Sequence, residues 1–160
     1  MNDRVEIIEA LARYAQALER RDGETLATLF TEGGQVEPFS RYGQEPYEPQ
    51  GSGVSGREQI RNMFANAAVP PGSGMHYLTT DHIVDIDGDE ARLQAQFVVV
   101  VSAANARPDT GWPPGADMMQ GTLSVFMIGH YDSQLRKSEG RWLFTRHHVK
   151  HSLPIALPPV

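Results

Sequence analysis

Two extended stretches joined by one tight turn indicate that this chain folds around an antiparallel sheet. Residues 75–86 and 90–102 flank Asp87-Gly88-Asp89, and Asp-Gly is a strong hairpin signal. In the second stretch small and apolar residues alternate with polar ones, which predicts a strand with one buried face. The residues on that face are Ala91, Leu93, Ala95, Phe97, Val99 and Val101. From residue 97 to residue 101 both faces are apolar, so the outer side of the sheet is expected to be covered there as well.

A second pair of strands is predicted near the C-terminus, at residues 122–136 and 141–151, with a turn around residues 138–140. Between the two pairs lies a break at residues 103–119 that contains three prolines and Trp112. Breaks of this length inside a compact domain are typical of a lid, an interface or disorder.

The first half of the chain is predicted to be mainly helical. The expected elements are a helix at 7–21, a short helix at 24–30, a turn at 31–34, a strand at 35–39, a loop at 40–53, and a third helix that begins at Ser55, carries Ile60, Met63 and Phe64, and ends before Pro70. Three helices followed by a largely antiparallel sheet make an α+β pattern.

The first helix carries two candidate functional groups, Tyr14 and Glu19. Tyr14 lies near one margin of the apolar face and Glu19 near the other, so a phenol and a carboxyl flank the residues that pack on the core. A carboxyl at the rim of a core can have its pKa raised by desolvation, which suits a general base. The alternative interpretation is that Glu19 is exposed to solvent at the side of the helix and pairs with an arginine. Asp22 is the fallback carboxylate if Glu19 points outward.

Composition restricts the class of protein. The 160 residues are expected to form a single domain spanning 1–160, with 40% hydrophobic residues, as in ordinary globular proteins. A net charge of −6 argues against nucleic acid as a partner, and without cysteine the chain has no thiol chemistry. No apolar run is long enough for a signal peptide or a membrane span, so no membrane association and a cytoplasmic location are expected.

Several segments at matching spacing resemble the SnoaL-like proteins of the nuclear transport factor 2-like superfamily. They are 14–22 (YAQALERRD), 56–60 (GREQI), 76–79 (HYLT), 87–91 (DGDEA) and 140–144 (GRWLF). The resemblance covers nearly the whole chain. It implies an α+β cone, in which three N-terminal helices close a strongly curved, mostly antiparallel sheet around an apolar pocket. It also implies a homodimer.

Within that superfamily the chain is similar to scytalone dehydratase, lindane dehydrochlorinase and bile-acid 7α-dehydratase, which are lyases without a cofactor. The resemblance implies that Glu19 and His76 form a catalytic carboxylate–histidine pair. Tyr14, or Tyr131 on the penultimate strand, would donate a hydrogen bond to a developing oxyanion. The chain departs from these relatives in having Glu rather than Asp at position 19, and Val101 stands near the place of scytalone dehydratase's second histidine.

The expected substrate contacts are Tyr131, His147, Phe97 and Trp112. Either face of the last strand could line the pocket, with His147 beside Thr145 and Val149 or with Arg146 beside Phe144 and His148. His147 and His151 are about 13 Å apart on a regular strand, too far to share one ion, so no metal site is predicted.

Two functions of different classes stay open. The first is a cofactor-free lyase or isomerase, of the dehydratase or cyclase type, acting on a small apolar oxygenated molecule such as a polyketide, steroid or aromatic intermediate. The second is a non-catalytic module that binds a small ligand or a protein partner. Epoxide hydrolysis would need a carboxylate–arginine–carboxylate water site, for which the sequence offers no match.

Overall fold

The computed structural model describes residues 2–63 and 70–155, which form three helices and one curled, mostly antiparallel sheet. The helices are α1 (Asp3–Arg20), α2 (Gly23–Thr28) and α3 (Arg57–Arg61). The strands are β1 (Phe30–Ser40), β2 (Glu48–Pro49), β3 (Val54–Ser55), β4 (Ser73–Asp87), β5 (Glu90–Ala104), β6 (Gly121–Ser138) and β7 (Arg141–His151). The predicted α+β architecture is confirmed.

The sheet has the order β2-β1-β7-β6-β5-β4, and β3 pairs with β1 outside this path. Both predicted hairpins, β4–β5 and β6–β7, are antiparallel, whereas β1 lies parallel to β7. Strand β4 is therefore an edge strand of the described sheet, and α1 packs against it. This arrangement brings the first helix next to the strand that carries His76.

Helix α1 begins and ends where its local chemistry dictates. The Asn2 side chain accepts a hydrogen bond from the backbone N–H of Arg4 at 2.9 Å, and Arg21 adopts a left-handed conformation that ends the helix. Tyr14 and Leu18 are buried on the side that faces the sheet. The apolar stripe read from the sequence is thus the face that packs on the core.

Two predicted elements differ from the structure. Residues 31–34 belong to β1 and do not form a free turn, but pairing with β7 is irregular there, because Phe30 lies opposite Phe144 and Gln35 opposite Arg146. The third helix covers only residues 57–61, with Gly56 rather than Ser55 as its N-cap. Phe64 and the rest of its predicted extent to residue 69 lie outside the described residues.

A β-bulge at Thr145 decides which side chains of β7 face inward. Leu135 lies opposite Phe144 and Gln134 opposite Arg146, so Thr145 is an extra residue on β7. As a result Phe144 and His147, three positions apart, are both fully buried on the inner face. Of the two regular-strand alternatives, the one that groups His147 with Val149 describes the inner face from residue 147 onward, and only its placement of Thr145 is wrong, because it assumed an unbroken period of two.

The outer face of the sheet exposes a contiguous apolar surface, which we call the outer apolar patch and define as Leu78, Val125, Phe126 and Ile128. Leu78 and Ile128 both lie in register with Val98, and Val125 lies opposite Val100 in the next row. All four side chains are exposed. None of the described helices is both long enough and apolar enough to cross a membrane.

Candidate functional site

An apolar cavity of about 400 Å³ lies between α1 and the inner face of the sheet. Its wall contains Tyr14, Leu18, Val36, Pro38, Gly53, Val54, Met63, Tyr77, Phe97, Val99, Met127, Tyr131, Val149 and His151. Cavities of this size and character take small apolar ligands. Three residues singled out from the sequence, Tyr14, Phe97 and Tyr131, lie together on this wall.

Three tyrosines supply most of the polar character of the cavity. Tyr14 meets Tyr131 edge to face, with ring centroids 5.9 Å apart, and Phe97 stacks on Tyr131 at 4.5 Å. Burial raises the pKa of Tyr14, Tyr77 and Tyr131 above the ordinary phenol value. These phenols therefore stay protonated at neutral pH and can donate hydrogen bonds to a ligand oxygen. Tyr77 was not singled out from the sequence, although it directly follows His76.

His151 is a second cavity residue that sequence reasoning did not place here. Its ring meets Phe97 edge to face at 5.7 Å, and burial lowers its pKa below the ordinary histidine value. The imidazole is consequently neutral at pH 7 and able to accept a proton. His151 lies two residues after Val149 on β7, and this spacing could have indicated that both side chains face the cavity. From the sequence, His151 was considered only as a metal ligand.

The predicted carboxylate–histidine pair is formed, but it does not lie on the cavity wall. Glu19 Oε1 is 3.1 Å from His76 Nδ1, and each side chain is 44% exposed. His76 alternates with Tyr77 on β4, so its side chain projects from the opposite face of that strand. Glu19 can reach it because β4 is the edge strand against which α1 packs.

The other nitrogen of His76 has a partner that the sequence did not reveal. His76 Nε2 is 3.2 Å from Ser102 Oγ, and Ser102 lies on the neighbouring strand β5. The two residues are 26 positions apart, and no spacing rule connects them. Only the register of β4 with β5 brings them together.

Asp22, the fallback carboxylate, is a helix cap. It precedes α2, and its side chain accepts hydrogen bonds from the backbone N–H and the hydroxyl of Thr25. These hydrogen bonds lower the pKa of Asp22 below its usual value. A carboxylate so held is a poor proton acceptor, which leaves Glu19 as the candidate.

His147, predicted as a substrate contact, lies in the core instead of on the cavity wall. It is fully buried, and its Nδ1 is 2.8 Å from Ser133 Oγ. The rings of Tyr14, Tyr131 and Phe144 surround it at centroid distances of 4.4, 4.7 and 5.3 Å. Its Nε2 has no hydrogen-bond partner among the described residues, and burial lowers its pKa to about 3.

Trp112, the remaining predicted contact, is also away from the cavity. It lies in the segment between β5 and β6 and is 40% exposed. None of residues 105–120, all of which the structure describes, lines the apolar cavity. The segment therefore contributes no side chain to the wall of this cavity.

The C-terminal histidines do not converge on a metal site. His148 bonds Glu37, with Nε2 and Oε2 3.0 Å apart, whereas His147 points into the core. Within residues 2–63 and 70–155, no three His, Cys, Asp or Glu side chains are grouped as metal ligands.

Comparisons with known proteins agree on the family and the fold. The sequence profile of the SnoaL-like domain matches residues 1–148. Among curated proteins, none matches the chain.

Three similar solved structures share the fold at low sequence identity. A proposed dehydratase of the NTF2-like family from Streptomyces avermitilis is 21% identical, with 95% of this chain and 98% of that one covered and a TM-score of 0.59. An NTF2-like protein with a cystatin-like fold from Novosphingobium aromaticivorans is 20% identical, with 94% and 81% covered and a TM-score of 0.64. A protein from Catenulispora acidiphila in complex with S-DNPA is 20% identical, with 92% and 91% covered and a TM-score of 0.61.

Proposed function

The chain belongs to the SnoaL-like domain family, and on that premise we propose that it is a cofactor-free acid–base enzyme of the lyase or isomerase type. Its substrate is a small apolar molecule with an oxygen function, of the polyketide, steroid or aromatic kind. The observation that carries the proposal is the Glu19–His76 hydrogen bond of 3.1 Å, because it orients an accessible imidazole for proton transfer.

The carboxylate fixes the tautomer of the imidazole. An ionised Glu19 only accepts hydrogen bonds, so His76 Nδ1 carries the proton and Nε2 has the free lone pair. A substrate that replaces the Ser102 hydroxyl at Nε2 can give up a proton from a carbon next to its carbonyl group. Glu19 then stabilises the imidazolium that forms. Loss of a β-hydroxyl completes a dehydration, and return of the proton to another carbon completes an isomerisation.

In the proposed mechanism, the apolar cavity binds the substrate. Its apolar wall favours a hydrocarbon skeleton, and the protonated phenols of Tyr14, Tyr77 and Tyr131 suit an oxygen function of that skeleton, away from the carbon that loses its proton. Because Tyr77 and His76 are adjacent on the edge strand, the substrate has to extend from the cavity around the β4 edge to reach Nε2. The Catenulispora protein holds S-DNPA, which is consistent with small-molecule binding in this fold.

The phenol hydrogen bonds are tested with a naphthol, an apolar ring system that carries one hydroxyl oxygen. We expect the wild-type protein to bind it in a fluorescence titration, and Tyr14→Phe and Tyr131→Phe each to weaken binding by about tenfold, the worth of one hydrogen bond. Tyr47→Phe, outside the cavity, is the matched control and should bind as the wild type does. Equal affinities for all four proteins would contradict the assigned role of the phenols.

Turnover is tested by a screen of β-hydroxy ketones and β,γ-unsaturated ketones, with enone formation followed by ultraviolet absorbance. His151 provides a competing base, because it is neutral and lines the cavity itself. Each substrate that reacts is therefore repeated with His76→Ala and with His151→Gln. Loss of activity in His76→Ala alone supports the proposal. Loss of activity in His151→Gln alone would mean that His151, on the cavity wall, is the proton acceptor instead of His76.

A non-catalytic ligand carrier is the second candidate. The observation that favours it is the separation of the Glu19–His76 pair from the apolar cavity, whose polar wall groups are mainly phenols. A carrier would bind the naphthol and show no turnover in the ketone screen. A cytoplasmic location stays a prediction from the sequence.

We also propose that the chain forms a homodimer through the outer apolar patch. A contiguous apolar surface that is exposed to water marks an interaction site. A second copy of the chain carries the same patch, so two copies can pair through it about a two-fold axis. Light scattering coupled to size exclusion should give the mass of a dimer, and Phe126→Asp should give a monomer. Tyr42→Asp, in an exposed loop, is the control that should stay dimeric. A wild-type monomer would rule out this assembly.

A further inference from the structure

Ser102, His76 and Glu19 form one hydrogen-bonded chain across three elements. The hydroxyl comes from β5, the imidazole from β4 and the carboxylate from α1, with separations of 3.2 Å and 3.1 Å at the two imidazole nitrogens. We propose that Ser102 is a nucleophilic serine and that the protein hydrolyses small carboxylic esters through an acyl-enzyme intermediate. This activity goes beyond proton transfer to and from carbon, since it needs a covalent step.

The hydrogen-bond pattern gives each group its role. Glu19 accepts from Nδ1–H, so Nε2 has the lone pair, and the Ser102 hydroxyl can donate to it at 3.2 Å or to the more distant backbone carbonyl oxygen of Gly74 at 3.5 Å. This is the arrangement in which an imidazole activates a hydroxyl and a carboxylate holds the imidazole, and it recurs on unrelated folds. It is recognised by geometry and not by order in the chain.

Glycine keeps the neighbourhood of the nucleophile open. Gly74 lies opposite Ser102 in the β4–β5 register. A Cβ at position 74 would stand 3.1 Å from Ser102 Oγ and 3.7 Å from His76 Nε2. Any side chain there would crowd the hydroxyl from the direction of β4, so the glycine preserves both the contact and the access to it.

Ser102 also lines a cavity of its own, separate from the one that Tyr14 and Tyr131 line. This cavity has a volume of about 420 Å³ and lies at the ends of β5 and β6. Its wall is formed mainly by small or apolar residues: Gly72, Ala103, Ala104, Met119, Gln120, Gly121, Thr122 and Leu123. The space and the lining fit a short acyl or alkyl group, which sets the substrate class as small, uncharged esters.

The reaction balances with water as the only other reactant. Ser102 Oγ attacks the ester carbonyl carbon while His76 Nε2 takes the hydroxyl proton. The carbon–oxygen bond to the alcohol then breaks, and the alcohol leaves with the proton from Nε2. Water, deprotonated by the same nitrogen, attacks the acyl-enzyme, and the carboxylic acid leaves as Ser102 recovers its proton.

A fluorophosphonate probe tests the nucleophile directly, because attack by a serine hydroxyl forms an oxygen–phosphorus bond and expels fluoride. We expect intact-mass spectrometry to show one equivalent of label on the full chain and peptide mapping to place it on Ser102. Ser102→Ala should take up no label, and His76→Ala should slow labelling by about a hundredfold or more. Ser124→Ala, an exposed serine on the neighbouring strand, is the matched control and should label as the wild type does.

Hydrolysis of p-nitrophenyl acetate gives the second readout. We expect a burst of nitrophenol equal to the protein concentration, which Ser102→Ala abolishes and Glu19→Gln diminishes. Absence of label, label on another residue, or equal labelling of wild type and Ser102→Ala would overturn the proposal. Glu19→Gln leaves Ser102 and its packing in place, so it keeps the test valid if Ser102→Ala fails to fold. Because labelling needs no ketone turnover, its failure leaves the proposed lyase or isomerase activity standing.

Discussion

Replacing His76 by alanine is expected to lower kcat/KM by about 10²- to 10⁴-fold on any ketone that the wild-type protein converts. The reason is that, in the proposed mechanism, the imidazole that Glu19 orients accepts the proton from the substrate. Glu19→Gln should be less severe, because the imidazole remains but loses the charge that holds its tautomer and stabilises the imidazolium. The measurement is steady-state kinetics by enone absorbance at equal protein concentration.

The matched control is His82→Ala, on the same strand as His76. Its Nε2 is 3.1 Å from Thr79 Oγ1, and it contacts neither Glu19 nor Ser102. Its activity should match that of the wild type. Full activity in both His76→Ala and Glu19→Gln would show that the pair has no catalytic role, whatever the naphthol titration gives.

Acidification below pH 6.5 is expected to destabilise the protein strongly through His147. Burial lowers the pKa of His147 to about 3, with a smaller contribution from the neighbouring His148, whereas an unfolded histidine titrates near 6.5. Above about pH 6.5 both states are neutral and the residue adds no pH dependence. As the pH falls, the unfolded chain takes up the proton and the folded chain does not, so folding loses about 1.4 kcal/mol per pH unit.

The expected loss is roughly 2 kcal/mol between pH 6.5 and about 4.5, above the range in which most carboxylates titrate, and roughly 4 kcal/mol by pH 3. Urea unfolding at several pH values measures it. In His147→Gln, which can still bond Ser133, the pH slope should fall by about 1.4 kcal/mol per unit. His151 contributes to the slope with the same sign in both proteins, because burial lowers its pKa as well. An unchanged slope in His147→Gln would refute the assignment.

The helices and strands were predictable because their causes are local. Hydrophobic periodicity located α1 and β5, the sequence Asp87-Gly88-Asp89 located the turn between β4 and β5, and the turn around residues 138–140 located the start of β7. The third helix begins two residues after Ser55 and has ended by Asn62 in the described part of the chain, and the pairing irregularity at residues 31–34 was interpreted as a turn. Glycine-rich stretches favour a turn and residues of high helix propensity favour a helix. Neither local preference shows whether the folded chain continues a strand at that position.

The site was predictable only in part, and the errors have one origin. The residues of the Glu19–His76 pair were identified and lie within hydrogen-bond distance, whereas His147 and Trp112 lie away from the apolar cavity. Ser102 and His151 were missed. Which residues meet depends on strand register and on the bulge at Thr145, and neither feature follows from spacing along the chain.

The sequence by itself therefore determined the type and approximate extent of the main elements, the buried face of the first helix and the two residues of the Glu19–His76 hydrogen bond. Only the tertiary structure decided that this pair lies on the outer side of an edge strand, that Ser102 completes it, and that phenols and His151 line the apolar cavity. The physical reason is that periodicity records whether a side chain is buried, while strand pairing decides which side chains share its environment.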